Sequence, residues 1–121
     1  MGLQISTRQS GDVTILDLQG RVTIGLSNDL LSSQLRDILA EGTRKLLINL
    51  AGVPQMDSSG ISSLVRSFVT LQRAGGSLKL LRPTGHVRDV LELTHLLHSI
   101  PTFDDEAQAL ASFGKAASSP K

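Results

Sequence analysis

The chain has no cysteine, no tryptophan and no tyrosine, and only three aromatic residues, Phe68, Phe103 and Phe113. Without cysteine there are no disulfides and no thiolate chemistry, which points to a reducing compartment, so a cytoplasmic location is expected. With so few rings, a core has to be packed by Leu, Ile and Val. Net charge is only +1, so the broad basic surface of nucleic-acid binders is missing and no nucleic-acid partner is expected. No apolar run approaches the roughly 20 residues of a membrane helix. Met1-Gly2-Leu3-Gln4 also lacks the basic-then-apolar pattern of a signal peptide, and no membrane insertion is expected. Phosphate-cradling and dinucleotide-binding glycine loops are absent, as is the nucleophile elbow G-x-S-x-G. His86, His95 and His98 are the only histidines. His95 and His98 lie three apart but bring no third ligand, and Asp104-Asp105-Glu106 has the pattern of a helix start rather than a metal cluster. No cofactor, no metal and no catalytic activity are therefore expected.

The 121 residues, 40% hydrophobic and 19% charged, suffice for one domain with one core. Leu3 to Arg8 and Val13 to Leu18 have strand character and are joined by a turn at Ser10-Gly11-Asp12. In the second, Val13, Ile15 and Asp17 alternate with Thr14, Leu16 and Leu18. A helix follows from Gly25, with Ser27 or Asn28 as cap and Leu31, Leu35, Ile38 and Leu39 as its apolar stripe. Lys45 to Leu50 is a compact apolar run, the pattern of a strand buried on both faces. The next helix opens at Asp57-Ser58-Ser59-Gly60, carries Ile61, Leu64, Val65, Phe68 and Leu71, and stops at Gly75-Gly76. Leu78 to Leu81 is a short strand. A helix with Val87, Val90, Leu91 and Leu96 follows, then a brief strand at Ile100 before Pro101. The acidic run at 104–106 starts a last helix with Ala107, Leu110 and Phe113. This order predicts a single-domain α/β fold: a mixed four- to five-stranded sheet flanked by about four helices, spanning 1–114, with a disordered tail at 115–121.

The stretch Met56-Asp57-Ser58-Ser59-Gly60-Ile61 brings two hydroxyls to the start of an amphipathic helix. Two readings stand side by side. Structurally, Asp57 or Ser58 caps the helix and Gly60 permits close packing, and most such serines are only caps. Functionally, a phosphate here would meet unpaired N–H groups and a partial positive charge. It would add roughly −1.5 to −2 units of charge to an exposed surface. Ser59, Ser62, Ser63 and Arg66 recur at spacings of three and four, so they would share one face of this helix.

Together with Asn49-Leu50, the Gly75-Gly76 turn and the helix at Val87 to Leu97, that stretch resembles the STAS domain family, specifically its anti-sigma-factor antagonists. The resemblance extends to about residue 113. It implies a protein-binding module that binds an anti-sigma factor, itself a serine kinase of the GHKL ATPase type, and is switched off by phosphorylation at Ser58. A phosphatase reverses the modification. It further implies that Asp57 shapes the site and that Ser59, Ser62, Ser63, Arg66 and Thr23 belong to the partner surface. Many such antagonists carry Gly-x-Leu-Asp after the second strand, where this chain has Gly20-Arg21-Val22-Thr23. Either a kinase contact is absent or the chain belongs to a divergent branch. A STAS scaffold without a phosphate switch, in a signalling assembly or a lipid-transport ABC complex, is the alternative.

Overall fold

The computed structural model describes residues 3–93 and 100–118, with side chains described to Phe113. Among these residues, five strands form one sheet in chain order: β1 (Gln4–Ser10), β2 (Val13–Gln19), β3 (Lys45–Gly52), β4 (Ser77–Leu81) and β5 (Thr102–Phe103). β1 and β2 make an antiparallel hairpin, because the two-residue link at Gly11-Asp12 permits nothing else. The remaining pairs are parallel, joined by α1 (Leu26–Ala40), α2 (Ser58–Arg73) and α3 (Gly85–Leu93), with α4 (Glu106–Ser118) last. The result is the expected mixed sheet flanked by helices.

The alternation in β2 sorts the core into two layers. Leu16 and Leu18 join Leu46, Ile48, Leu50, Leu78 and Leu80 on the face covered by α1, α2 and α3. Val13 and Ile15 join Leu47, Leu81, Ala109 and Phe113 under α4. β3 is thus buried on both faces, as its unbroken apolar run requires. Leu31, Leu35 and Ile38 anchor α1, and Ile61, Leu64 and Leu71 anchor α2. Gly76 ends the α2–β4 turn against the Arg44 carbonyl, which any Cβ would strike.

Several local expectations change. Val65 and Phe68 are half-buried and pack against the core edge rather than inside it. Neither Ser27 nor Asn28 caps α1. The cap position is Gly25, and the Ser27 hydroxyl turns back onto Thr23. The last strand follows Pro101 instead of preceding it, and Ile100 is a buried core residue. In α4 the buried alanine is Ala109, while Ala107 is exposed. Asp105 caps that helix by accepting the Gln108 N–H at 2.9 Å. Residues 115–118, expected in the tail, continue α4. The expectations for Leu96, Leu97, His95 and His98 lie outside the described residues.

Candidate functional site

β3 ends at Gly52, and the chain crosses over the sheet edge to reach α2. The segment after β2 lies beside this crossing and is stitched to it. Gly20 N–H donates to Gly52 O, Val22 N–H to Gln55 O, and Asp57 N–H to Val22 O, all at 3.0–3.1 Å. Val22 and Met56 form a parallel bridge, and both are buried. Gly60 completes the joint. A Cβ there would lie 2.7 Å from Met56 Cγ and 2.8 Å from Val22 Cγ1, so only glycine lets the first turn of α2 approach so closely. The requirement of the motif for small residues is met by packing at this point.

Asp57 organises the helix start. One carboxylate oxygen, Oδ1, accepts from the Ser59 hydroxyl at 2.6 Å, the Ser59 N–H at 3.0 Å and the Gly60 N–H at 3.3 Å. The other, Oδ2, accepts the Ile24 N–H at 2.8 Å. These donors hold the carboxyl below the usual carboxylate range; the Ser59 hydroxyl contributes most and partial burial opposes it. Asp57, not Ser58, is therefore the cap. It also fills the N–H groups that the sequence suggested a phosphate would meet.

Ser58 and Ser59 consequently differ. Ser59 is half-buried, with its hydroxyl committed to Asp57. Ser58 is exposed, and its side chain makes no hydrogen bond among the described residues. Ser62 and Arg66 are exposed on α2 as expected. Ser63 is not: it is 3% exposed, because its side of α2 faces α1. Its hydroxyl bonds to Ser32 Oγ at 2.8 Å and to Asn28 Oδ1 at 2.9 Å, locking the two helices together. Thr23 is half-buried, with its backbone held by Ser27 and the next N–H given to Asp57. Asn49 lies on the α4 side of the sheet, donating to Asp17 Oδ1 at 2.8 Å and accepting the Ala51 N–H, so it supports the strand ends.

Residues overlooked in the sequence also reach this surface. Ile24 and Leu26 are 81% and 75% exposed, and Leu30 is exposed one turn further along α1. The tether from Ile24 to Asp57 puts this apolar patch at the start of α2. A signal was available: Leu26 and Leu30 are four apart and lie off the Leu31–Leu35–Ile38 stripe.

The STAS domain family model matches residues 4–109. The anti-sigma F factor antagonist of Paenibacillus polymyxa is 25% identical over 111 residues, covering 91% of this chain and 94% of its own. A Thermotoga maritima protein named as a candidate anti-sigma factor antagonist superposes with a TM-score of 0.87 at 24% identity, over 91% of this chain and 94% of that one. The Bacillus cell fate determinant SpoIIAA in its phosphorylated form gives a TM-score of 0.71 at 17% identity, over 90% and 98%. These structural likenesses establish a shared fold. With the family match spanning nearly the whole sheet and its helices, the chain belongs to the STAS domain family.

Proposed function

We propose that this chain is an anti-sigma factor antagonist, a non-catalytic cytoplasmic module that binds an anti-sigma factor and loses that partner on phosphorylation of Ser58. The observation that carries the reading is the asymmetry of the two serines. Ser58 offers a free, exposed hydroxyl at the helix start, whereas the Ser59 hydroxyl is bound to Asp57. The name of the Paenibacillus polymyxa relative supports the antagonist role. The surface around Ser58 also suits a partner: Ile24, Leu26 and Leu30 supply apolar contact area, while Ser62 and Arg66 supply a polar rim. A phosphate on Ser58 would stand beside an ionised Asp57 whose donors are already used. Its charge would face the partner unneutralised, and the interface would be weakened by repulsion and desolvation.

The partner kinase is of the GHKL ATPase type, and a phosphatase restores binding. The test is incubation with each GHKL serine kinase of the same genome and ATP, followed by phosphosite mapping and binding measurements. Phosphate on Ser58 is expected. Ser58→Asp should bind at least tenfold more weakly, about 1.4 kcal/mol, and Ser58→Ala should bind constitutively. Phosphate on Ser59 or Thr23, or a Ser58→Asp variant that binds like wild type, would overturn the switch. Thr23, standing where many antagonists have an acid, favours the second reading of a STAS scaffold without a switch. Stable partner binding without any phosphorylation would identify that case.

A further inference from the structure

α1 and α2 lie side by side on the sheet, pinned by the Ser63 hydroxyl near their N-terminal halves. Along that pin, between the two helices, lies a groove of about 210 Å³ that Ser32 and Ser63 also line. Leu39, Ser67 and Thr70 line it together with Arg36 from α1 and Arg66 from α2, above the nearly fully buried Leu35. No Asp or Glu lines it.

Three cations elsewhere on the described surface are paired with acids. Arg8 is paired with Asp17 and Glu106, Lys45 with Asp12, and Arg88 with Asp104. Arg36 and Arg66 are exposed and, like Arg21, Arg44, Arg73, Lys79 and Arg82, have no carboxylate within salt-bridge distance among the described residues; what sets these two apart is that they share one groove. Two guanidiniums sharing one groove repel each other. Their planar forks fit carboxylates, and the half-buried Leu39 offers contact to an aliphatic side chain.

We propose that the α1–α2 groove is the docking site for an acidic segment of the protein partner. Carboxylates would pair with Arg36 and Arg66, and an apolar side chain would sit on the half-buried Leu39. The proposal rests on the reading of α2 as the partner-facing helix and gives that partner a chemistry. Arg66 lies two turns along α2 from Ser58, about 12 Å by helix rise, roughly one and a half Debye lengths at physiological salt, so a charge on Ser58 is largely screened at the groove.

The test uses the full chain, labelled with nitrogen-15, and a short amphipathic helical peptide bearing glutamates on one face and leucines on the other. Amide shifts should concentrate at Leu35, Arg36, Arg66 and Thr70. The same peptide with glutamine for glutamate should bind at least tenfold more weakly, and so should the glutamate peptide to the Arg36→Gln/Arg66→Gln variant. Both arginines are exposed, so the variant should fold; an unchanged spectrum elsewhere checks this. Equal binding of the two peptides, an unaffected double variant, or no shifts in the groove would each refute the proposal. Inorganic phosphate is the control: if it shifts the same amides as strongly as the peptide, the groove is a small-anion site instead. Repeating the titration with Ser58→Ala separates the two readings. Groove binding should persist there, so it stands or falls independently of whether a kinase modifies Ser58.

Discussion

Removing the two adjacent hydroxyls one at a time should give unequal results. The Ser59 hydroxyl donates to an ionised carboxylate oxygen at 2.6 Å. Hydrogen bonds to charged groups are worth about 1.5–3 kcal/mol when well sheltered. Both partners here are only half-buried, and solvent screening reduces the figure to about 1 kcal/mol. Ser59→Ala should therefore lower the melting temperature by about 3–5 °C for a domain of this size. Ser58→Ala removes an exposed group with no internal partner and should stay within about 0.5 kcal/mol of wild type. Urea melts of both variants measure the stabilities. A carboxyl carbon NMR titration of Asp57 gives the mechanism, because the Ser59 hydroxyl is the largest contributor to the lowered pKa of that group. Its pKa should rise towards the ordinary aspartate value in Ser59→Ala and stay low in Ser58→Ala. If Ser58→Ala cost as much as Ser59→Ala, or if Asp57 titrated unchanged without the Ser59 hydroxyl, the assignment of Asp57 as cap and Ser58 as free group would be wrong.

Three further outcomes follow from the packing. Leu64 is fully buried, and Leu64→Ala should cost about 2–5 kcal/mol in chemical denaturation. Gly60→Ala forces a methyl against Met56 and Val22; it should destabilise by about 1–3 kcal/mol, and Gly60→Ser should be at least as harmful in the same assay. Asp17 is held below the usual carboxylate range, chiefly by Arg8 and also by Asn49. A depressed folded value means that its stabilisation is fully present above the unfolded pKa of about 3.9 and is lost as pH falls through the folded value. Asp17→Asn should accordingly be less stable than wild type at pH 7, by less than about 1 kcal/mol for so exposed a pair. Its melting temperature should fall less steeply below about pH 4, and scanning calorimetry from pH 2 to 7 on both proteins checks the difference.

Periodicity alone carried most of the architecture. The alternation of Val13 to Leu18 fixed which side chains of β2 face each helical layer, and the unbroken run at 45–50 marked β3 as central, because a strand covered on both faces has no polar side to show. The turn at Gly11 and Asp12 was short enough to force the hairpin. Helix ends and partial burial were decided elsewhere. Ser27 and Asn28 have the composition of caps, yet a cap needs a hydroxyl or amide aimed at free N–H groups, and here their side chains bond to Thr23 and Ser63 instead. Ser63 has the spacing of a surface serine, but its position is set by how α2 rolls against α1, which depends on the side chains of both helices together. The chemical distinction between Ser58 and Ser59 was equally invisible in a Ser-Ser pair. It arises because the Asp57 carboxylate reaches forward to one hydroxyl and back to the Ile24 N–H on a segment 33 positions away in sequence. Local pattern determines which residues are apolar and where the chain must turn. The assignment of hydrogen-bond partners, and with it the identity of the free hydroxyl and the unpaired arginines, waits on distant segments being brought together by the core.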